Sequence, residues 1–438
     1  MPSRQDRAPV IGLGVALALM VLAMAVPAVT GWNVRINDFP PLHAEWMPRV
    51  GYATPAAVAL AVLAAWQSHH LARTLRWVPL LLLVFAAGLA WMLALALVDG
   101  QAGVGGILTD KYEYLPTARR TTDFGETLDI YASKISYDAE PDNWPVHIAG
   151  HPPGALLFFV VLVRIGLGSG IAAGLVVTVV AATTAVGVLV TMRMLGAEGM
   201  ARRAAPFLVF GPAAIWQCVS GDAMFAAVAA WGMAALAVAA IRGSISWSVV
   251  AGVLLGYCVM LSYGLTLLGI LAIAVLFLAR NWRPLPIAAL AALCVVLAFA
   301  VGGFAWWEGY SEIRGRYFEG VGGRRPIGYW MWGSLGALGF SAGPLVGSGM
   351  AMVVTNGRAY LAQSSQRVTA VLSGAGAAMI LVATASLMSK AEVERIWLPF
   401  VPWMLLSCAF LPERWRRAGL ALQLAVALVT MHLIKTTW

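Results

Sequence analysis

The chain has 438 residues, 61% of them apolar and only 11% charged, against roughly 45–50% and about 25% in an ordinary soluble domain. A water-soluble fold of this length would lack the charge to cover its surface and a disordered chain would carry far more of it, so the expected class is an all-α polytopic membrane protein lying in the lipid bilayer. The net charge of +9 resides largely on arginines in short loops between apolar runs, where the positive-inside bias accounts for them, and no nucleic-acid motif accompanies them.

Arg4 and Arg7 precede an apolar stretch from Val10 to Thr30 that is long enough to span, so it reads as a retained first helix and not as a cleaved signal peptide. Further apolar segments follow at 52–66, 77–98, 153–168, 170–192, 204–219, 222–241, 247–263, 264–280, 284–306, 329–355, 367–388, 396–411 and 418–434. A helix crosses ~30 Å of hydrocarbon with about 20 residues, fewer where the bilayer adapts. The pattern therefore predicts 12–14 crossings, some of them short or re-entrant, in a single transmembrane domain over 1–438 without internal repeat.

Charge sets the expected orientation. The N-terminus, the 67–76 turn with Arg73 and Arg76, and the turns holding Arg280 and Arg283, Arg358 and Arg367, and Arg414, Arg416 and Arg417 are expected in the cytoplasm of a plasma-membrane protein. Segments 31–51, 99–152, 307–328 and 389–395 then face outward. Two full crossings at 153–168 and 170–192 would place Arg193, Arg202 and Arg203 outside. The first, short and interrupted by Arg164, is accordingly expected to dip in without crossing. Cys218, Cys258, Cys294 and Cys408 lie in apolar runs without CxxC spacing and read as buried small hydrophobes, neither disulfide nor metal ligands.

The 99–152 loop holds nine acids (Asp99, Asp110, Glu113, Asp123, Glu126, Asp129, Asp138, Glu140 and Asp142) but only four bases, Lys111, Arg119, Arg120 and Lys134. Within it Phe124, Leu128, Tyr131 and Ile135 follow helical spacing, with Thr122 or Asp123 as cap and Glu126 in the first turn. This predicts an amphipathic helix over about 121–136 on the outer membrane surface. The loop ends in His151-Pro152-Pro153-Gly154. Prolines start a helix where amides go unpaired, and His151 at such a start can donate to an anion.

The ordered series "GHPPGALLFF", Gly166 and Gly168, "VTMRMLGAEGMARRAAP" and "GPAAIWQCVSGDAMF" resembles the polyprenyl-phosphate-sugar-dependent glycosyltransferases of the GT-C fold over about 77–242, and "SKAEVERIWLPFVPW" adds to it. Among these the chain is most similar to actinobacterial cell-envelope transferases that act on lipoarabinomannan. Two extra spans within 1–76 precede the core, and 243–438 supplies the C-terminal helices. The resemblance implies transfer of a sugar from a polyprenyl (decaprenyl) phosphate donor to a glycan or glycolipid acceptor on the outer face. No cofactor is required, and a divalent metal is not indicated.

Such a transfer needs a base for the acceptor hydroxyl and cations for the departing phosphate, and a carboxylate and an arginine suit these tasks. Asp110 in "LTDKYEYL" is the first choice of base, followed by Asp99, Glu113 and Asp38, because the extra spans leave the family's acid open among them. Arg395, in "AEVERIWLPF", is the first phosphate ligand, with His151, Lys134, Arg119 and Arg120 as alternatives. Tyr112, Tyr114, Glu394, Arg324 and Arg325 are candidates for sugar or acceptor contacts, and Asp222 for a cap or dipole partner. A transporter or lipid-linked sugar flippase is the competing function. It fits less well because the acids cluster outside the apolar segments.

Overall fold

A computed structural model describes residues 4–36 and 39–436, so Asp38 lies outside the described residues. They form an almost wholly helical bundle. The principal helices are α1 (Arg4–Thr30), α2 (Thr54–Thr74), α3 (Trp77–Ala96), α4 (Phe124–Asp129), α5 (Pro153–Arg164), α6 (Gly170–Met194), α7 (Glu198–Val209), α8 (Gly221–Arg242) and α9 (Ile245–Leu261). They continue with α10 (Leu268–Ala279), α11 (Pro284–Val301), α12 (Trp306–Glu319), α13 (Ile327–Ser341), α14 (Leu345–Ala362), α15 (Ser364–Ala385), α16 (Val393–Ile396) and α17 (Glu413–Leu433). The sheet seen among the described residues pairs β1 (Ala44–Trp46) with β2 (Ile434–Thr436), antiparallel.

Six of these helices are long and apolar enough to cross a membrane, or seven if α13 and α14, bent by 112°, form one span. This is fewer than the 12–14 crossings expected, for two physical reasons. Several apolar runs, α5 and α9 among them, fold into helices of 10–17 residues, short of the ~30 Å a crossing needs. The runs at 52–66 and 418–434 extend into polar turns, with Gln67, Ser68, His69, His70 and Arg73 in α2 and Glu413, Arg414, Arg416 and Arg417 in α17.

The central helix α8 is rich in alanine and is buried along most of its length between α6 and α9. Small residues let the backbones approach: a β-carbon on Gly187 of α6 would sit 3.1 Å from Ala230 of α8. The outlying helix α11 is mostly exposed, and Cys294 on it is exposed too, unlike the buried Cys218, Cys258 and Cys408. The expectation that all four cysteines are buried therefore fails at Cys294.

The helix ends sort into two groups. At one end the 99–152 segment covers the starts of α6 and α8, with Gly105 against Gly170 and Tyr114 against Gly221. At the other, Arg202 donates to the Ala72 and Leu75 carbonyls at 3.0 and 2.8 Å, Arg73 pairs with Glu413, and Asn281 donates to the Ala240 carbonyl. Helix α5 stays at the loop end. Pro152 and Pro153 start it, Gly154 accepts a bond from Tyr257, and Arg164 at its far end donates to the Thr122 carbonyl at 2.6 Å over the Phe124 ring. Arg193, Arg202 and Arg203 thus join the other arginine turns opposite the loop.

The surface helix expected at 121–136 is only six residues long, Phe124–Asp129, and Asp123 caps it by accepting from the Glu126 amide at 2.9 Å. It stops where the backbone leaves the i to i−4 pattern, the Tyr131 amide donating to the Leu128 carbonyl, and the returning chain packs on the residues beyond. The Trp144 indole donates to Tyr131 and the Trp144 amide to Lys134. Tyr131 and Ile135 are nevertheless fully buried, so the apolar spacing marked the packed face correctly.

Candidate active site

A cavity of about 560 Å³ opens at the loop end. Its charged wall comes from the segment before α16, where Leu387, Ala391 and Glu392 have φ of 59°, 67° and 58°. Left-handed backbone at non-glycine residues is costly and recurs where a site needs a side chain held in one place. Here it presents Glu392 and Arg395 to the cavity while Glu394 of the same turn is fully buried.

Arg395 is 3% exposed and donates to Asp222 Oδ2 at 2.6 Å, and its second terminal nitrogen lies 3.6 Å from Glu392. Asp222 sits in the first turn of α8, after Ser220 and Gly221. Glu392 also accepts from Arg325 at 3.2 Å, and Arg325 donates to the Lys390 carbonyl at 2.6 Å. Burial alone would raise the Glu392 carboxyl, but Arg325 and Arg395, with His147 and His43, together outweigh it and hold the group below its ordinary range. Burial disfavours the charged form of Arg395, and Asp222, Glu113 and Glu392 more than compensate, so its guanidinium stays ionised.

A second network faces the first. Glu113, 3% exposed, accepts from His147 Nδ1 at 2.7 Å, and its other carboxyl oxygen is buried with no hydrogen-bond partner. Burial pushes the Glu113 carboxyl up; His147, Arg395 and His151 together bring it below its ordinary value, so it is ionised at neutral pH. His151 Nδ1 donates to the His147 carbonyl at 2.7 Å, since a carbonyl only accepts. Burial lowers the His151 pKa, with Asp222 opposing. The neutral ring therefore offers Nε2 as an acceptor, and the expected donation to an anion requires its protonated form. Trp306 and Tyr310, stacked at 5.3 Å, line the opposite wall with Tyr263 and Tyr317.

Of the residues picked from the sequence, the cavity wall holds Arg395, His151 and Arg325, with Glu113 and Tyr114 packed behind it. Tyr114 stacks on Phe159 and is buried. Glu394 has both carboxyl oxygens buried without a partner, and burial, aided by Glu392, pushes its pKa up to about 7.

The others lie elsewhere. Asp110 is exposed and accepts from the Tyr112 amide at 2.9 Å, a local turn, and Tyr112 is itself exposed. Asp99 pairs with Arg49 at 2.6 Å, tying the 31–51 segment to the end of α3. Arg119 donates to the Gly168 carbonyl, Lys134 pairs with Asp142 over the Trp144 ring, and Arg120 and Arg324 are exposed. Sequence reasoning passed over His147, Glu392 and Lys390 as site residues and weighed Asp222 only as a helix-start residue. The signal available was the pairing of a helix-start acid with an interfacial arginine, but the two are 173 residues apart. Among the described residues no three His, Cys, Asp or Glu side chains converge as a metal site.

No family model and no curated protein matches the chain. Among solved structures, ArnT from Cupriavidus metallidurans in the apo state is similar at 17% identity and a TM-score of 0.38, over 66% of this chain and 54% of that one. The chain thus spans about half the length of that structure.

Proposed function

We propose that the chain is a membrane glycosyltransferase of the GT-C type that moves a sugar from a polyprenyl phosphate donor to a cell-envelope glycan at the loop end. The observation that carries this is the buried juxtaposition of Arg395, held by Asp222, with the Glu113–His147 pair beside an aromatic-walled cavity. The arginine supplies a fixed positive charge for a phosphate leaving group. The unpartnered oxygen of ionised Glu113 supplies a proton acceptor that Asp110, at the surface, does not. The acceptor oxygen bonds to the anomeric carbon, the bond from that carbon to the phosphate oxygen breaks, and the hydroxyl proton passes to the Glu113–His147 pair, of which His147 lines the cavity. Polyprenyl phosphate departs with its electron pair, facing Arg395. The overall sequence character adds the mannan caps of lipoarabinomannan as acceptor and methylthioxylose as the sugar, in likeness to the mycobacterial methylthioxylose transferase.

The test is transfer of labelled sugar by purified protein from synthetic polyprenyl phosphate donors carrying mannose, arabinofuranose or methylthioxylose. Glu113→Gln is expected to lose about 10²–10⁴ in rate, as for removal of a general base, while Asp110→Asn keeps at least half of wild-type turnover. The reverse outcome returns the base to Asp110. Absence of transfer from every donor, with substrate flux in proteoliposomes, replaces the enzyme by a transporter.

A further inference from the structure

At the end opposite the loop, six arginines from three separate segments converge on one concavity of about 430 Å³: Arg73 of α2, Arg202 and Arg203 of α7, and Arg414, Arg416 and Arg417 of α17. One carboxylate lines it, Glu413, and that group is bound to Arg73 at 2.7 Å. Glu198 nearby is shared by Arg193 and Arg202. Arg203 and Arg416 have no ion-pair partner among the described carboxylates, and the Arg416 Nε is buried without a hydrogen-bond acceptor.

The positive-inside bias explains why arginines occupy this end, but not why they gather. Like charges in a shared recess repel, and the other helix ends on that side offer room to spread them. Convergence with an unfilled donor is what an anion requires. We infer that this recess binds the phosphate headgroup of an anionic membrane phospholipid. Guanidinium forks match phosphate oxygens in pairs. The recess lies at helix ends, where headgroups sit and where basic pockets between membrane helices take anionic lipids. Its volume exceeds that of a bare phosphate, an ion of a few water volumes at ~30 Å³ each, and accommodates the glycerol moiety as well.

The experiment measures binding of phosphatidylglycerol to the full chain in zwitterionic detergent, by native mass spectrometry and by the shift in melting temperature. Phosphatidylcholine, inorganic phosphate and glycerol 3-phosphate serve as parallel arms. Wild type is expected to retain phosphatidylglycerol over phosphatidylcholine. Each basic residue near a headgroup contributes about 1 kcal/mol, roughly fivefold in affinity. Arg203→Gln with Arg416→Gln should therefore bind about 25-fold more weakly. Arg417→Gln, at an exposed position, should bind about fivefold more weakly and serves if the double variant does not fold. Unchanged phosphatidylglycerol affinity in the folded variants overturns the inference. So does full displacement of the lipid by millimolar inorganic phosphate or glycerol 3-phosphate, which would make the ligand a soluble phosphate.

Discussion

Arg395 is held 2.6 Å from Asp222 in a buried setting, so its removal does two things. It strands the Asp222 charge, a change that costs about 3–5 kcal/mol for a buried pair, and it deletes the proposed phosphate contact. Arg395→Gln with Asp222→Asn separates these effects by neutralising both partners together. That double variant is expected to fold while donor binding weakens about 10- to 150-fold, from roughly 1.5–3 kcal/mol for a charge-assisted bond. Titration of donor into the purified variant measures it, and wild-type affinity there removes Arg395 from the phosphate site. Glu394 makes a different prediction. Its folded pKa of about 7 stands above the ordinary carboxyl value of about 4.5, so its contribution to stability is full below about pH 4.5 and lost as pH rises through 7. The amplitude is roughly 3 kcal/mol at most. Glu394→Gln should accordingly melt higher than wild type at pH 8, with the gap closing towards pH 5. Parallel melting curves for the two proteins across that range would contradict a buried, proton-holding Glu394.

Contacts between whole helices depend on where glycine permits two backbones to touch. Gly12 of α1 and Gly347 of α14 meet this way: a β-carbon on either would collide with the carbonyl oxygen of the other. Both lie in ordinary helix, so the requirement is space and not backbone freedom. Gly14, two residues along α1, has nothing within 4 Å of its own β-carbon position. Gly12→Leu is expected to destabilise by about 1–3 kcal/mol, the range for overpacking, whereas Gly14→Leu leaves the melting temperature nearly unchanged. Equal melting of the two variants would show that α1 does not pack on α14 in this way. In the 99–152 segment, the apolar spacing around 121–136 picked out the buried Tyr131 and Ile135 and the partly buried Phe124 and Leu128, and Asp123 is the cap of the two residues expected, but the spacing overran the helix. Beyond the helix the chain is held by Trp144, which donates to the Tyr131 and Lys134 carbonyls from further along the sequence, and periodicity reports only local neighbours.

Across the whole molecule, the arginine turns gather at one end and the acidic loop with its cavity at the other. With the arginine end in the cytoplasm, as the charge bias expects, the two ends differ in access to a membrane-impermeant thiol reagent. Asp138→Cys is expected to react in intact cells and Arg283→Cys only after permeabilisation, both positions being exposed. Replacing the exposed Cys294 by alanine leaves three buried native cysteines as background. The opposite labelling pattern would invert the orientation and place the cavity in the cytoplasm.

Composition alone determined the class, because 11% charge cannot cover a soluble surface of this size. Local chemistry marked the start of α5 at Pro153, narrowed the cap of α4 to Thr122 or Asp123, and singled out Arg395 and His151, which line the loop-end cavity. These depend on a residue and its immediate neighbours. The number of helices long enough to cross was not determined that way, since hydropathy counts apolar residues without marking where a helix breaks. The choice among nine loop acids was not either: Asp110 and Glu113 are three residues apart in the same acidic stretch, yet one is exposed and the other buried. Only tertiary packing gave them different surroundings, by bringing His147 to Glu113 across 34 residues, as it brings Asp222 to Arg395 across 173. A buried charge survives only beside its partner, and the partner is supplied by helix packing and not by neighbours in sequence.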